Sequence, residues 1–200
     1  MHEHYYSSNP SAKSEERCFQ AHLLEHSFTF YTDSGVFSKK GIDFGSRLLI
    51  ENVSLQQEKT VLDLGAGYGP IGITLARAYP QLSVVMVDIN ERAIALAKRN
   101  AEVNRVIGQV ECIVSEGFSE LANRSFDMIL FNPPIRIGKS AIYELFSEAK
   151  SHLVPGGSLW IVIRKKQGAE SAKKELERNY DHVEVVAQKK GYWIIQATIY

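Results

Sequence analysis

Cysteine is scarce in this chain of 200 residues: Cys18 and Cys112 lie far apart and in no metal-ligand spacing. Cys112 falls within an apolar run and reads as a small core residue, and the chain is long enough to bury a full core without disulfides. The six histidines form no ligand set either; His22 and His26 are four apart, but their segment reads as extended, where that spacing is no clamp. No metal is expected. Long apolar runs are missing too. Nothing is long enough to span a membrane, and the polar start carries no apolar signal region, so no membrane partner and a cytoplasmic location are expected. A charge excess is also lacking: Lys+Arg and Asp+Glu are each 23. That excludes a wholesale basic surface, so an anionic partner must be held by a local patch. Repeats, low-complexity tracts and linkers are absent, which leaves one domain over residues 1–200. Nothing decides the oligomeric state, for which a monomer is favoured.

What is present is regular alternation. Residues 1–18 are polar and read as a loose arm that hangs on the domain or docks as a short arm. Residues 19–59 read as an N-terminal extension: an aromatic-rich hairpin arm from Phe19 to Tyr31, a turn at Asp33-Ser34-Gly35, and an amphipathic helix from Ile42 to Val53 with Phe44, Leu48, Leu49 and Val53 at helical spacing. From residue 60 to 200 strands alternate with helices. Strands are expected at Thr60–Leu64, Leu82–Val87, Val110–Val114, Phe126–Phe131 and Ser158–Ile163, the last after a turn at Pro155-Gly156-Gly157. Helices are expected at Pro70–Ala78, Glu91–Val103, Ala141–Leu153 and Glu170–Arg178. The last twenty residues read as two strands without a helix between them. The pattern predicts an α/β, Rossmann-like, doubly wound and mostly parallel sheet, ending in an antiparallel hairpin strand.

The strand Val61-Leu62-Asp63-Leu64 leads into Gly65-Ala66-Gly67-Tyr68-Gly69-Pro70-Ile71-Gly72. Glycines at a strand-to-helix turn let the backbone approach a ligand closely, and Gly67, Gly69 and Gly72 match a dinucleotide fingerprint in spacing. Charge argues against a dinucleotide. Pro70 removes a donor from the helix start where a pyrophosphate would sit, and Asp63 would repel one. S-adenosylmethionine carries a sulfonium and an ammonium and no phosphate, so a carboxylate attracts it. Asp63 has a structural alternative, bonding backbone N–H groups of the loop, and both roles can hold together. Asp88, ending the next strand, suits two ribose hydroxyls, with Ile89 beside it; its alternative is a helix N-cap, which Asn90 could supply instead. Ser115 and Glu116 follow the third strand, within reach of an adenine amino group.

The fourth strand ends in Leu130-Phe131-Asn132-Pro133-Pro134-Ile135. Ligands of such sheets bind beyond the strand carboxyl ends, near the point where strand order reverses, and this loop and the glycine loop both belong there. An exocyclic amine has its lone pair delocalised into the ring. Two acceptors, the Asn132 side-chain carbonyl and the Pro133 backbone carbonyl, can hold its hydrogens and stabilise the developing positive charge. Consecutive prolines stiffen the loop.

These segments resemble class I S-adenosylmethionine-dependent methyltransferases with an Asn-Pro-Pro motif. Asp33-Ser34-Gly35-Val36-Phe37-Ser38, Gly41-Ile42-Asp43-Phe44-Gly45-Ser46 and Pro133-Pro134-Ile135-Arg136-Ile137-Gly138-Lys139 are similar to the small-subunit ribosomal RNA guanine-N2 methyltransferase family, in its compact single-domain branch. The resemblance implies a seven-stranded sheet, with Asp63, Gly65, Gly67 and Asp88 around S-adenosylmethionine and Asn132 between cofactor and target amine. Ribosomal RNA or the small ribosomal subunit is the implied partner. Many Asn-Pro-Pro enzymes carry an aromatic residue after the second proline; Ile135 gives only apolar contact, so stacking must come from elsewhere, with Phe37 and Phe131 as candidates.

Lys39, Lys40, Arg136, Lys139, Arg164, Lys165 and Lys166 all fall in segments expected near one mouth, which favours a phosphate-lined approach flanked by Phe37 and Ser38. Lys189-Lys190 reads as plain surface. The target base must be unpaired or extruded. Methylation of a protein glutamine amide would pose the same problem to Asn-Pro-Pro. A nicotinamide dehydrogenase is opposed by Asp63, Pro70 and the lack of a hydride-handling residue. A noncatalytic RNA-binding module would need a vestigial pocket.

Overall fold

The structure, a computed structural model, describes residues 13–38 and 41–200. Its main sheet contains β3 (Thr60–Leu64), β4 (Ser83–Asp88), β5 (Val110–Val114), β6 (Phe126–Phe131), β7 (Leu153–Arg164), β8 (His182–Lys189) and β9 (Tyr192–Thr198). The order is β5-β4-β3-β6-β7-β9-β8, seven strands, with β9 antiparallel to both its neighbours. The sheet is thus α/β, doubly wound and mostly parallel, as expected, and its final strand lies inside the sheet rather than at its edge. Strand order reverses between β3 and β6, so the loops following those two strands face each other.

Both faces of the sheet are covered, which explains why Val61, Leu62 and Leu64 are all apolar and buried. On one face pack α1 (Phe44–Asn52), α2 (Pro70–Ala78) and α3 (Glu91–Val103); on the other, α4 (Lys139–Ser151) and α5 (Ala169–Asn179). A separate hairpin, β1 (Arg17–Leu23) and β2 (His26–Thr32), lies against α3. Two asparagines one helical turn apart on α3 stand in for a neighbouring strand. Asn104 Oδ1 and Nδ2 bond Thr29 N and O at 3.0 and 2.8 Å, and Asn100 Oδ1 and Nδ2 bond Tyr31 N and O at 2.8 and 2.9 Å. Backbone groups on the open edge of β2 are satisfied in this way.

The arm resolves to one of its two alternatives, and two element bounds need correction. Arg17 and Cys18 belong to β1, paired with Thr32 and Tyr31, and Ser14 donates to Asp33 Oδ2 at 2.8 Å; the described part of the arm takes the docked alternative. Residues 1–12 lie outside the described residues. The fifth parallel strand starts at Leu153, not Ser158, and carries Pro155-Gly156-Gly157 within it, because the Gly156 N–H donates to Ile199 O at 3.0 Å and the Gly157 carbonyl accepts from Ile199 N at 3.1 Å, which keeps the pairing going. Consequently α4 ends at Ser151. Cys112 is half-buried and packs against the core, in keeping with its reading as a small core residue, and burial pushes its thiol up to about 11.

Candidate active site

The glycine loop after β3 is held from two sides by carboxylates. Asp88 Oδ2 accepts from Gly67 N at 2.8 Å, and Asp63 Oδ2 accepts from Gly72 N at 2.9 Å. The glycines divide by role. A Cβ on Gly72 would come within 2.8 Å of the Met86 side chain, so that glycine lets α2 lie against β4. Gly67, at φ +60°, would meet no protein atom within 4 Å; its backbone is bared toward open space, as a close ligand requires.

Above the loop is a cavity of about 580 Å³, within the range of small-molecule sites. Of the residues expected there, Gly65, Gly67, Asp88, Asn132, Pro133, Lys139, Phe37 and Ser38 line it. The turn carrying Phe37 and Ser38 is tied to α3: Asn90 Nδ2 donates to Gly35 O at 2.9 Å and Arg92 Nη1 to Ser34 O at 2.7 Å. Asn90, not Asp88, caps α3, accepting from the Arg92 and Ala93 amides. Asp88 therefore keeps lone pairs for a ligand, although its Oδ1 also accepts from Asn90 N at 2.9 Å. Burial raises its carboxyl above the usual range, against the three backbone N–H bonds it accepts.

Other expected residues stand outside the wall. Asp63 is 1 % exposed and lies beneath the loop, so its structural alternative is the one realised; burial, with the neighbouring Asp88 charge, pushes its carboxyl up to about 7. Ile89 is half-buried away from the cavity. Ser115 turns inward, donating to Gly117 O at 2.9 Å and accepting from Glu120 N at 3.2 Å, and Glu116 is exposed beyond the wall. Arg136 is exposed in a 3-10 turn, Ile135–Ile137, and Lys165 pairs with Glu170 at 3.3 Å; neither lines the cavity. Phe131 is buried edge-on to Phe146 and offers no face for stacking. Lys39 and Lys40 lie outside the described residues, as does the side chain of Ile135.

Opposite the glycine loop, Asn132 is held by residues for which no role was expected. Its Nδ2 donates to Ser46 Oγ at 3.0 Å and to Asp43 Oδ2 and Oδ1 at 3.3 and 3.5 Å. Asp43 is also the N-cap of α1, accepting from Gly45 N at 2.9 Å and Ser46 N at 3.2 Å. An acidic residue followed by small residues before an apolar periodic run is a helix-start signal that was present at Asp43-Phe44-Gly45-Ser46. Tyr192 and Arg164 also line the cavity, with the guanidinium 4.6 Å from the ring centroid. Tyr192 in turn lies 5.3 Å from Phe44, whose ring carries Lys190 at 5.1 Å. Lys190 is exposed, as expected, and stands at the outer end of this row of cations and aromatic rings.

A reversed-order parallel sheet with this glycine loop, an acid ending the adjacent strand and an Asn-Pro-Pro loop across the crevice defines a Rossmann-like methyltransferase domain. Residues 27–196 match the family described as Methyltransferase small domain, and the chain belongs to that family. It is 48% identical over 199 residues to Uncharacterized protein YbxB of Bacillus subtilis, covering 98% of each chain. It is 40% identical over 136 residues to ribosomal RNA small subunit methyltransferase C of Pasteurella multocida, covering 66% of this chain and 40% of that one. With ribosomal RNA large subunit methyltransferase G of Photobacterium profundum it shares 31% over 179 residues, 86% of this chain and 47% of that one. The structure of the T. thermophilus 16S rRNA N2 G1207 methyltransferase (RsmC), in complex with AdoMet and guanosine, superposes with a TM-score of 0.83 at 26% identity, over 96% of this chain and 52% of that one. The chain thus matches YbxB nearly end to end and spans about half or less of the ribosomal RNA methyltransferases.

Proposed function

We propose that this protein transfers a methyl group from S-adenosylmethionine to an exocyclic amine of a ribosomal RNA base, with guanine N2 of the small-subunit RNA as the target. The observation that carries the reading is the state of Asn132: its NH₂ is spent on Asp43 and Ser46, and its carbonyl oxygen accepts no bond from another described residue while the side chain lines the cavity. The residues present fit the cofactor. Asp88 retains acceptor capacity suited to a ribose diol, and the space over Gly67 is one that any Cβ would enter. The small-subunit relatives, at higher identity than the large-subunit ones, favour the former RNA.

When bound, the cofactor supplies an activated methyl group on sulfur. The chain's own work is alignment. Asn132 Oδ1 and the Pro133 carbonyl accept the two hydrogens of the target amine, directing its lone pair and meeting the positive charge that grows on nitrogen. Asp88 in the cavity wall presents acceptor oxygens on that side of the crevice, which suits a cationic donor and opposes a pyrophosphate. Lys139 and Arg164 in the wall favour an RNA phosphate at the mouth.

Purified protein, labelled S-adenosylmethionine and ribosomal RNA from a strain lacking the gene test this, with naked RNAs and both subunits offered separately. Digestion and mass spectrometry are expected to find N2-methylguanine in small-subunit RNA alone. Label on large-subunit RNA would move the target, and label on protein alone would replace the reading by glutamine methylation.

A further inference from the structure

We infer that Asp43 is a positioning residue for methyl transfer: its carboxylate fixes which end of the Asn132 carboxamide faces the cavity. The inference rests on Asn132 serving as acceptor for the target amine. A carboxamide has two nearly isosteric ends, one acceptor and one donor, and a half-turn about its terminal bond exchanges them. If the donor end faced the cavity it would oppose the N–H of an amine instead of accepting it.

The surroundings of Asn132 admit one orientation. A carboxylate accepts only, so the end of Asn132 that lies 3.3 Å from Asp43 Oδ2 is the NH₂ end. Ser46 Oγ accepts from the same nitrogen at 3.0 Å, and Ser46 is buried. Were the amide turned, its oxygen would meet both carboxylate oxygens, a repulsion that a part-buried site strengthens relative to bulk water. Two backbone amides, Gly45 N and Ser46 N, hold the carboxylate itself in place. The start of α1 and the acceptor of the site therefore share one side chain, across 89 residues of sequence.

Capping and positioning can be separated, because asparagine caps a helix about as well as aspartate but carries a donor end of its own. Asp43→Asn is expected to keep the melting temperature and the affinity for S-adenosylmethionine, and to lower single-turnover transfer, per molecule able to bind cofactor, by ten- to a hundredfold, the scale of one bond to a charged group. Asp43→Ala should lose melting temperature as well. A second readout needs no substrate: the side-chain amide protons of Asn132, followed by ¹⁵N NMR, are expected to exchange with solvent about tenfold faster or more in Asp43→Asn than in the wild type. Wild-type transfer by Asp43→Asn overturns the inference, and so do unchanged exchange rates. Absence of transfer by the wild type on every RNA would instead count against the proposed reaction, while the exchange measurement would still judge the role of Asp43.

Discussion

Asp63 and Asp88 grip the glycine loop at its two ends, the first through Gly72 N at 2.9 Å and the second through Gly67 N at 2.8 Å, and the Asp88 charge raises the cost of ionising Asp63. They end adjacent strands, β3 and β4, yet their fates differ. Asp63 is one residue short of its strand's end and faces α2, whereas Asp88 is the last residue of its strand and reaches the cavity.

The buried carboxyl of Asp63 makes stability depend on pH. It titrates at about 7 when folded, against roughly 3.9 when unfolded. Between those values the native state keeps a proton that the unfolded chain has released. The stability this group contributes is therefore fully present below the unfolded value and is lost as pH rises through 7. Urea unfolding of the wild type against Asp63→Asn, from about pH 5 to about pH 8, should show the wild type losing on the order of 2 kcal/mol relative to the variant. A flat difference would mean that the carboxylate stays charged beneath the loop.

Asp88 should govern cofactor affinity. With Asn90 capping α3, its lone pairs are not consumed by the helix. Replacing it by alanine removes bonds to a charged acceptor, each about 1.5–3 kcal/mol, so calorimetry should find S-adenosylmethionine bound ten- to a hundredfold more weakly. Unchanged affinity would refute the assignment.

The hairpin should depend unequally on its two asparagines. Asn100 is fully buried and serves Tyr31 N, Tyr31 O and Tyr68 O, so Asn100→Ala strands three backbone groups away from water. Its cost should be about 3 kcal/mol or more, whereas Asn104 is half-exposed and its partners can turn to solvent, for about 1 kcal/mol. Equal losses in chemical denaturation would contradict this account of how β2 is held.

The row from Arg164 through Tyr192 and Phe44 to Lys190 should carry RNA affinity. Lys190→Ala is expected to weaken binding of a single-stranded oligonucleotide and to reduce the slope of log affinity against log salt by about one, leaving S-adenosylmethionine affinity alone. An unaltered slope would show that this lysine merely covers Phe44.

Much of the fold was legible because periodicity and end signals agreed. Thr60–Leu64, Pro70–Ala78, Val110–Val114 and Phe126–Phe131 fall where the sequence places them. Pro155-Gly156-Gly157 misled, since glycines within a strand look like a turn until a partner supplies the pairing. At the site, Asn132 and the loop glycines stood out by type and spacing. Asp63 and Ser115 were aimed at a ligand because proximity in sequence to a strand end does not say which side a side chain takes. Asp43 and Tyr192 were missed because their roles come from contacts across the fold, Asp43 with Asn132 and Tyr192 with Arg164 through the β7–β9 register. No single segment contains such information.

The acceptor role of Asn132 is tested most directly by pairing calorimetric affinity for S-adenosylmethionine with single-turnover transfer to ribosomal RNA in Asn132→Ala. The account predicts affinity within about threefold of the wild type and transfer reduced at least a hundredfold, the scale of losing a preorganised acceptor. Transfer that falls only as far as cofactor affinity does, or that persists in the variant, would contradict it.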